Sequence, residues 1–300
     1  MQCPICEATI TEAPSARYLP HFLRCPACTG FFLPEKPSPR YGEAYFSEDR
    51  QEQNKSFFSP LLDFFLWLRM KKITKILKGK QGSILDYGCG NGKLVAYLLR
   101  HGFTVEGYDP EPAAVTLAQK RGLPVFSALP QKRYDLIMLW HSLEHTATPL
   151  HDMRALHGSL TPHGQVLVAV PNGDSLEARF FGASWFCYDF PFHLIHFTPR
   201  SLIMLLTKVG FTQRSADYLN PEYTVSSLVQ TVLNLFLPKN ALYSFVSARR
   251  QTMGKGKLVT IGLCSLLVLI ILSPIIVVFF VISFLLKRTA SFIILAERNS

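Results

Sequence analysis

Between residues 82 and 222 apolar positions come in two alternating rhythms, short continuous runs and amphipathic stretches of helical period. The runs Ser83–Tyr87, Phe103–Tyr108, Pro124–Ala128, Tyr134–Trp140 and Gln165–Val170 predict strands. The stretches Gly92–Arg100, Pro112–Lys120 and Leu150–Leu160 predict helices between them, and Pro199–Val209 predicts another that Gly210 closes. Strands alternating with helices imply a parallel sheet, helices on both faces and right-handed crossovers. No internal repeat is visible.

Outside this region the pattern changes. Residues 1–34 carry four cysteines, and residues 35–56 are polar, proline-bearing and linker-like. Phe57–Lys78 is apolar and aromatic, then basic, and predicts a helix that either lies on a membrane as a lid or packs on the sheet. Residues 258–286 hold 29 consecutive uncharged positions, mostly Leu, Ile, Val and Phe. This run explains why the chain is 48% hydrophobic and only 17% charged. Of the formal net charge of +10, Lys239, Arg249, Arg250, Lys255, Lys257, Lys287 and Arg288 flank the run, with no acid between Tyr223 and Ala296. Basic residues placed there point to an anionic lipid surface rather than to nucleic acid. The first 30 residues lack the basic start and apolar core of a signal peptide, which places the N-terminal body in the cytosol with reduced thiols.

The most informative segment is Ile84-Leu85-Asp86-Tyr87-Gly88-Cys89-Gly90-Asn91-Gly92. A strand ends in a carboxylate, three glycines follow at alternate positions, and a helix begins. That geometry lets a nucleotide-like ligand lie against bare backbone. Asp109 ends the next strand, where a carboxylate accepts hydrogen bonds from ribose hydroxyls. A dinucleotide fingerprint needs its third glycine at the position of Lys93, so an NAD site is disfavoured.

Asp86 followed by this glycine pattern resembles motif I of the class I S-adenosylmethionine-dependent methyltransferases. Later segments extend the resemblance to roughly residues 82–212: Asp109, Tyr134-Asp135-Leu136-Ile137, Ser142-Leu143-Glu144-His145, Leu160–Gln165 and His193-Leu194-Ile195-His196-Phe197-Thr198-Pro199. The third and fifth of these are similar to segments of the quinone-biosynthesis-like subgroup. The resemblance implies a Rossmann-like α/β sheet with S-adenosylmethionine held by Asp86, Gly88, Cys89, Gly90, Gly92 and Asp109. One departure is that the third strand ends in Ser127-Ala128, with no carboxylate for the adenine amine. A second is Pro191-Phe192 before His193, where the subgroup often has a basic residue.

Methyl transfer from a sulfonium asks the protein for position and a dry site, and for a base only when the acceptor must lose a proton. Candidate bases are His193, His145, His196 and Asp189, each histidine with the alternative of a structural bond to backbone. The stretch Trp185–Phe190 either walls an apolar acceptor pocket or packs over the sheet.

Cys3-x2-Cys6 and Cys25-x2-Cys28, 18 residues apart, have the spacing of a four-cysteine zinc ribbon whose metal supplies most of its folding energy. Cys89, Cys187 and Cys264 have no metal spacing. Few basic residues accompany the ribbon, so it is expected to cap a domain or face protein, not nucleic acid.

The resemblance also implies an antiparallel final strand pair. Thr212–Leu219 reads as its first member and Ala290–Arg298 as its second. Residues 223–287 are then an insertion whose two ends share one side of the membrane. A hairpin turning at Ser273-Pro274 satisfies this; one kinked span and a two-span arrangement are the alternatives. Val225–Leu237 is expected to lie as a helix in the interface. The chain thus divides into a ribbon (1–34), a linker and first helix (35–80), a core (81–222), a membrane-embedded insertion (223–287) and a last strand (288–300). The expected function is methylation, first of a hydroxyl, on a lipid or lipid-linked acceptor at the cytoplasmic face of a membrane. Transfer to carbon or to a lipid-linked sugar, a non-catalytic anchored scaffold, and a nucleic-acid methyltransferase are the rivals. Nothing in the pattern specifies an oligomer.

Overall fold

The structure, a computed structural model, describes residues 1–11, 17–35, 59–246 and 255–299. Its elements are β1 (Leu23–Arg24), β2 (Phe31–Phe32), α1 (Ser59–Ile76), β3 (Ser83–Tyr87), α2 (Lys93–Arg100), β4 (Thr104–Tyr108), α3 (Pro112–Lys120) and β5 (Val125–Phe126). They continue as β6 (Tyr134–Trp140), α4 (Pro149–Gly158), β7 (Leu160–Pro171), α5 (Leu176–Phe181), β8 (Ile195–His196), α6 (Pro199–Val209) and β9 (Phe211–Asp217). The last are α7 (Pro221–Leu233), α8 (Ala241–Val246), α9 (Lys255–Leu285) and β10 (Ser291–Arg298). The linker expected over 35–56 lies, beyond residue 35, outside the described residues, as do Phe57 and Phe58.

Seven strands form one sheet in the order β5-β4-β3-β6-β7-β10-β9. The first five run parallel, and β10 is antiparallel to both of its neighbours. Alternate residues of each strand feed opposite faces. Leu85, Ile137, Val168 and Phe292 join Met153 of α4 and Leu202 of α6. Ile84, Leu136, Met138 and Ile293 join Val95 of α2 and Val115 of α3. The α/β class and the antiparallel final pair therefore stand as expected. Strand β5 is shorter than its apolar run because it is a sheet edge, bonded on one side only, through the carbonyls of Pro124 and Phe126. Helix α4 stops at Gly158 because Leu160 is drawn into the sheet opposite Tyr134.

The insertion is organised differently from the expected hairpin. Residues 255–285 form one continuous helix that runs through Pro274. Proline removes the donor that the carbonyl of Ile270 would otherwise use, and the Ser273 hydroxyl donates to that carbonyl instead at 3.0 Å. The turn loses its reason, because the orphaned acceptor is satisfied without breaking the helix. Helix α7 has one face packed on the body. Its inward face, Thr224, Ser227, Leu228 and Thr231, is buried against the body, where the hydroxyls of Ser227 and Thr231 donate to Glu177 at 2.7 and 3.2 Å.

The cysteine module is not a separate bead. Strand β2 pairs with β8, placing Phe31 opposite His196, so β1, β2 and β8 make a second small sheet. Phe22 of the ribbon lies against His196 and Tyr188, and the Tyr188 hydroxyl donates to the Pro20 carbonyl at 2.6 Å.

Candidate active site

Strand order reverses between β3 and β6, and the crevice beyond their C-terminal ends is where open α/β sheets bind ligands. The glycine loop fills the lip of that crevice. Gly88, Gly90 and Gly92 have φ values of +77°, +56° and +74°, a left-handed conformation that side chains oppose. Their surroundings differ. A Cβ on Gly88 would sit 2.4 Å from the Ser142 Cβ, so the turn after β6 approaches the loop as closely as backbone allows. A Cβ on Gly90 would meet nothing within 4 Å, so the loop's centre faces open space.

Two carboxylates fix the loop. Asp109 accepts from the Gly90 N–H at 2.7 Å and, through its other oxygen, from the Glu111 N–H at 3.0 Å. Burial pushes its carboxyl above the usual range while those two donors pull it back. An ionised carboxylate has about four acceptor sites, so two remain for hydroxyl donors. Asp86 is buried beneath the loop. Desolvation pushes it up to about 7, opposed by the Arg69 guanidinium and reinforced by Asp109. The Cys89 thiol, also raised by burial, fills the space beside Gly107, where a Cβ would come within 2.6 Å of its sulfur.

The chain after β6 and the segment from α5 through β8 form the other wall, and between them they bring all four candidate bases together. His145 and His193 lie edge to face at 4.7 Å, and His193 and His196 at 5.5 Å. The Nδ1 of His193 donates to the Cys187 carbonyl at 2.8 Å, and that of His145 to the Phe192 carbonyl at 3.0 Å. A carbonyl only accepts, so Nε2 of each ring carries the lone pair. The Nε2 of His193 is 4.0 Å from an Asp189 oxygen. Burial lowers the pKa of both imidazoles, His145 further through His193. His196 plays a different part. It is fully buried among Phe22, Trp185 and Tyr188, where β8 meets the ribbon, so of the four it is furthest from serving a substrate. The aromatic stretch likewise divides. Trp185 and Tyr188 are core, while the exposed Phe190 stacks on His21 of the ribbon at 4.5 Å.

Three residues enter the site that were not singled out from the sequence. Glu144, fully buried, lies 3.3 Å from His141. Burial raises its carboxyl against the pull of His145 and His193. Ligand-type atoms of Glu144, His145 and His193 fall within 4.8 Å of one another, close enough to share one cation. His141 stacks on Tyr223 of α7 at 3.5 Å. Arg69 of α1 makes a bidentate pair with Glu222 of α7, 2.7 Å at its shortest, and its guanidinium lies 4.5 Å over the Trp140 ring. Arg69 opens the basic part of α1 and carried no signal of its own; Glu144 and His141 were visible only as neighbours of His145.

In the ribbon, Cys3, Cys6, Cys25 and Cys28 converge, all four sulfurs within 4.8 Å of one another. The pairs Cys3–Cys28 and Cys6–Cys25 are each 3.7 Å apart. A tetrahedral ion with Zn–S bonds of about 2.3 Å spaces its sulfurs by about 3.8 Å, whereas a disulfide needs about 2.05 Å. The donor set fits a single zinc ion.

Comparison with known proteins finds similarity to methyltransferases. A ubiquinone biosynthesis O-methyltransferase of Cereibacter sphaeroides is 27% identical over 158 residues, 46% of this chain and 64% of its own length. A ribosomal RNA small subunit methyltransferase C of Alcanivorax borkumensis is 33% identical over 87 residues, 25% of this chain and 24% of its own. The chain therefore spans less than two thirds of the length of either relative. Among solved structures, an S-adenosylmethionine-dependent methyltransferase from Archaeoglobus fulgidus aligns with a TM-score of 0.47 and 18% identity, over 81% of this chain and all of that one. A family model described as a methyltransferase domain matches residues 50–216. Because that match runs through more than half of the 300 residues, from before α1 into β9, the chain belongs to the methyltransferase-domain family.

Proposed function

We propose that this protein is an S-adenosylmethionine-dependent methyltransferase that works at the cytoplasmic face of a membrane on a lipid or lipid-linked acceptor, with a hydroxyl as the methylated group. The observation that carries it is the glycine loop at the sheet's switch point, clamped by Asp109, with the His145–His193 pair on the wall beside it. S-adenosylmethionine, when bound, supplies an activated methyl on a cationic sulfur. The residues of this chain do the rest. Gly88 to Gly92 offer bare backbone, Asp109 keeps two acceptor sites for ribose hydroxyls, and Asp86 keeps a carboxyl beneath the loop for the methionine end. His193 holds a lone pair at Nε2, oriented by the Cys187 carbonyl and faced by Asp189, and so accepts the proton that a hydroxyl loses. A carbon acceptor would make less use of that base. The likeness to ubiquinone O-methyltransferases supports a hydroxyl on a lipid-tailed molecule.

In the same reading the four cysteines hold structural zinc. The ribbon then braces β8 and the loop that carries His193, making the metal a support for the acceptor wall.

The test is transfer. Purified protein, S-adenosylmethionine with a labelled methyl group and a lipid extract of the parent membrane are incubated and separated into organic and aqueous phases. Label entering the organic phase only with intact Asp109 supports the proposal. Cofactor binding without transfer supports a non-catalytic scaffold, and label entering nucleic acid instead overturns the lipid acceptor.

A further inference from the structure

Helix α9 is apolar around its whole circumference, so its sequence says nothing about which side is covered. The structure does. Ile261, Ser265, Leu272, Ile276, Phe279 and Ser283 are buried or half-buried, and with the half-buried Cys264, Val268, Leu269 and Phe280 they lie on one side of the helix, about 160° wide at 100° per residue. Leu263, Leu267, Ile270, Val278, Val281 and Leu285 are exposed, by 45–72%, and fall on the opposite side. The covered arc begins at Ile261 and ends at Ser283, a distance of about 33 Å at 1.5 Å per residue. Along it α9 touches α7 and α8, and the Phe279 ring meets Phe180 and Phe181 of α5. Those helices are themselves fixed to the body: α7 through the Arg69–Glu222 pair and through Thr231, which accepts from the Phe186 N–H at 3.0 Å, α5 through Glu177 on α7, and α8 through Gln230 of α7, whose side-chain oxygen accepts from the Tyr243 N–H at 2.7 Å.

A helix that crosses a bilayer leaves its water-soluble domain behind. Here both ends of a run long enough to cross remain against one domain. We infer that α9 does not span the membrane but lies along its plane, with the outward face sunk into a single leaflet and the methyltransferase body on the same side throughout. This rests on the membrane attachment proposed above. The occupant of the exposed face is lipid and not a second copy of the chain, because the charges around it match a lipid surface. The helix carries no charge from residue 258 to 286, Lys255, Lys257, Lys287 and Arg288 stand at its two ends, and no acid occurs between Tyr223 and Ala296. Anionic headgroups answer that pattern, whereas a copy of the same surface repels it. The exposed Phe180 ring, beside Phe279, widens the apolar face at the α5 end. Helix α7 also bonds the segment that leads to His193, Ser227 accepting from the Cys187 thiol and Thr231 from the Phe186 N–H, which ties the membrane face to the acceptor wall.

The experiment uses full-length Lys255→Cys and Lys287→Cys variants, each with Cys264→Ser, in inverted membrane vesicles from the expressing cells. A membrane-impermeant maleimide is applied before and after permeabilisation, and labelled peptides are identified by mass. Label at both positions before permeabilisation is the expected result. Label at 287 alone before permeabilisation, with 255 appearing only afterwards, means that the helix spans and overturns the inference. Protein that fails to float with the vesicles sinks the membrane reading itself. Protein that floats poorly but forms a concentration-dependent dimer, lost on Ile270→Glu, replaces lipid by a second copy and also overturns the inference.

Discussion

Replacing Asp109 by alanine removes both anchors of the glycine loop at once. Its carboxylate accepts from the backbone N–H groups of Gly90 and Glu111 at 2.7 and 3.0 Å. Hydrogen bonds to a charged group contribute about 1.5–3 kcal/mol each. The two backbone bonds order the loop in free and bound protein alike, so affinity rests on the two acceptor sites left for ribose hydroxyls, which on the same scale are together worth about 3–6 kcal/mol less what water recovers. A net loss of about 3 kcal/mol is on the order of a hundredfold in dissociation constant. Asp109→Asn keeps one acceptor oxygen and is expected to lose roughly half that free energy, about tenfold. The assay is isothermal titration of S-adenosylhomocysteine, the product nucleoside, with thermal melts confirming that each variant is folded. Because Asp109 lies at the end of β4, outside both hydrophobic clusters, melting should fall far less than affinity. An Asp109→Ala protein that melts normally and binds within threefold of the parent would refute the assignment of this carboxylate as the acceptor for ribose hydroxyls.

Further outcomes follow from the same geometry. Gly88→Ala should destabilise the fold, since its Cβ would overlap Ser142 and add about 1–2 kcal/mol of left-handed strain. Gly90→Ala meets nothing and should raise the cofactor KM with a smaller drop in melting temperature; equal melting losses would contradict this. Burial pushes Glu177 up to about 8, so the folded chain keeps a proton that the unfolded chain releases between the ordinary carboxylate range and pH 8. Stability contributed by this group is thus fully present in acid and falls as pH rises through that window, by up to about 1.4 kcal/mol per pH unit. Glu177→Gln should match the parent in melting at pH 5 and exceed it at pH 8, and an equal difference at both would be the contrary result. Stripping zinc with a chelator should release one ion per chain and abolish methyl transfer while leaving S-adenosylhomocysteine binding nearly intact, because the ribbon braces β8 and not the glycine loop. Parallel loss of both activities would mean that the ribbon supports the whole fold.

Much of the core was legible because its information is local. Tyr134–Trp140 and Pro199–Val209 match their strand and helix residue for residue, and Gly210 caps the latter in a left-handed conformation. The glycine loop announced itself through spacing, and so did the cysteines. What escaped depends on distant partners. Nothing near Phe31 or His196 in sequence tells that β2 pairs with β8. Arg69 reads as one cation of an ordinary helix until Glu222 and Trp140 are brought to it. The hairpin expected at Ser273-Pro274 failed for a subtler reason: a proline costs a helix one donor, and a serine one residue earlier repairs the acceptor. An all-apolar helix also has no polar face to reveal its orientation, so only the covered stripe from Ile261 to Ser283 does.

The central claim is that the crevice beside Gly88–Gly92 holds S-adenosylmethionine. Ultraviolet cross-linking of the methyl-labelled nucleoside to the wild-type protein, followed by peptide mapping, tests it where it stands. Label confined to peptides from residues 84–145, and chased by excess S-adenosylhomocysteine, is the predicted result. Label elsewhere, or none that the competitor removes, would contradict the account.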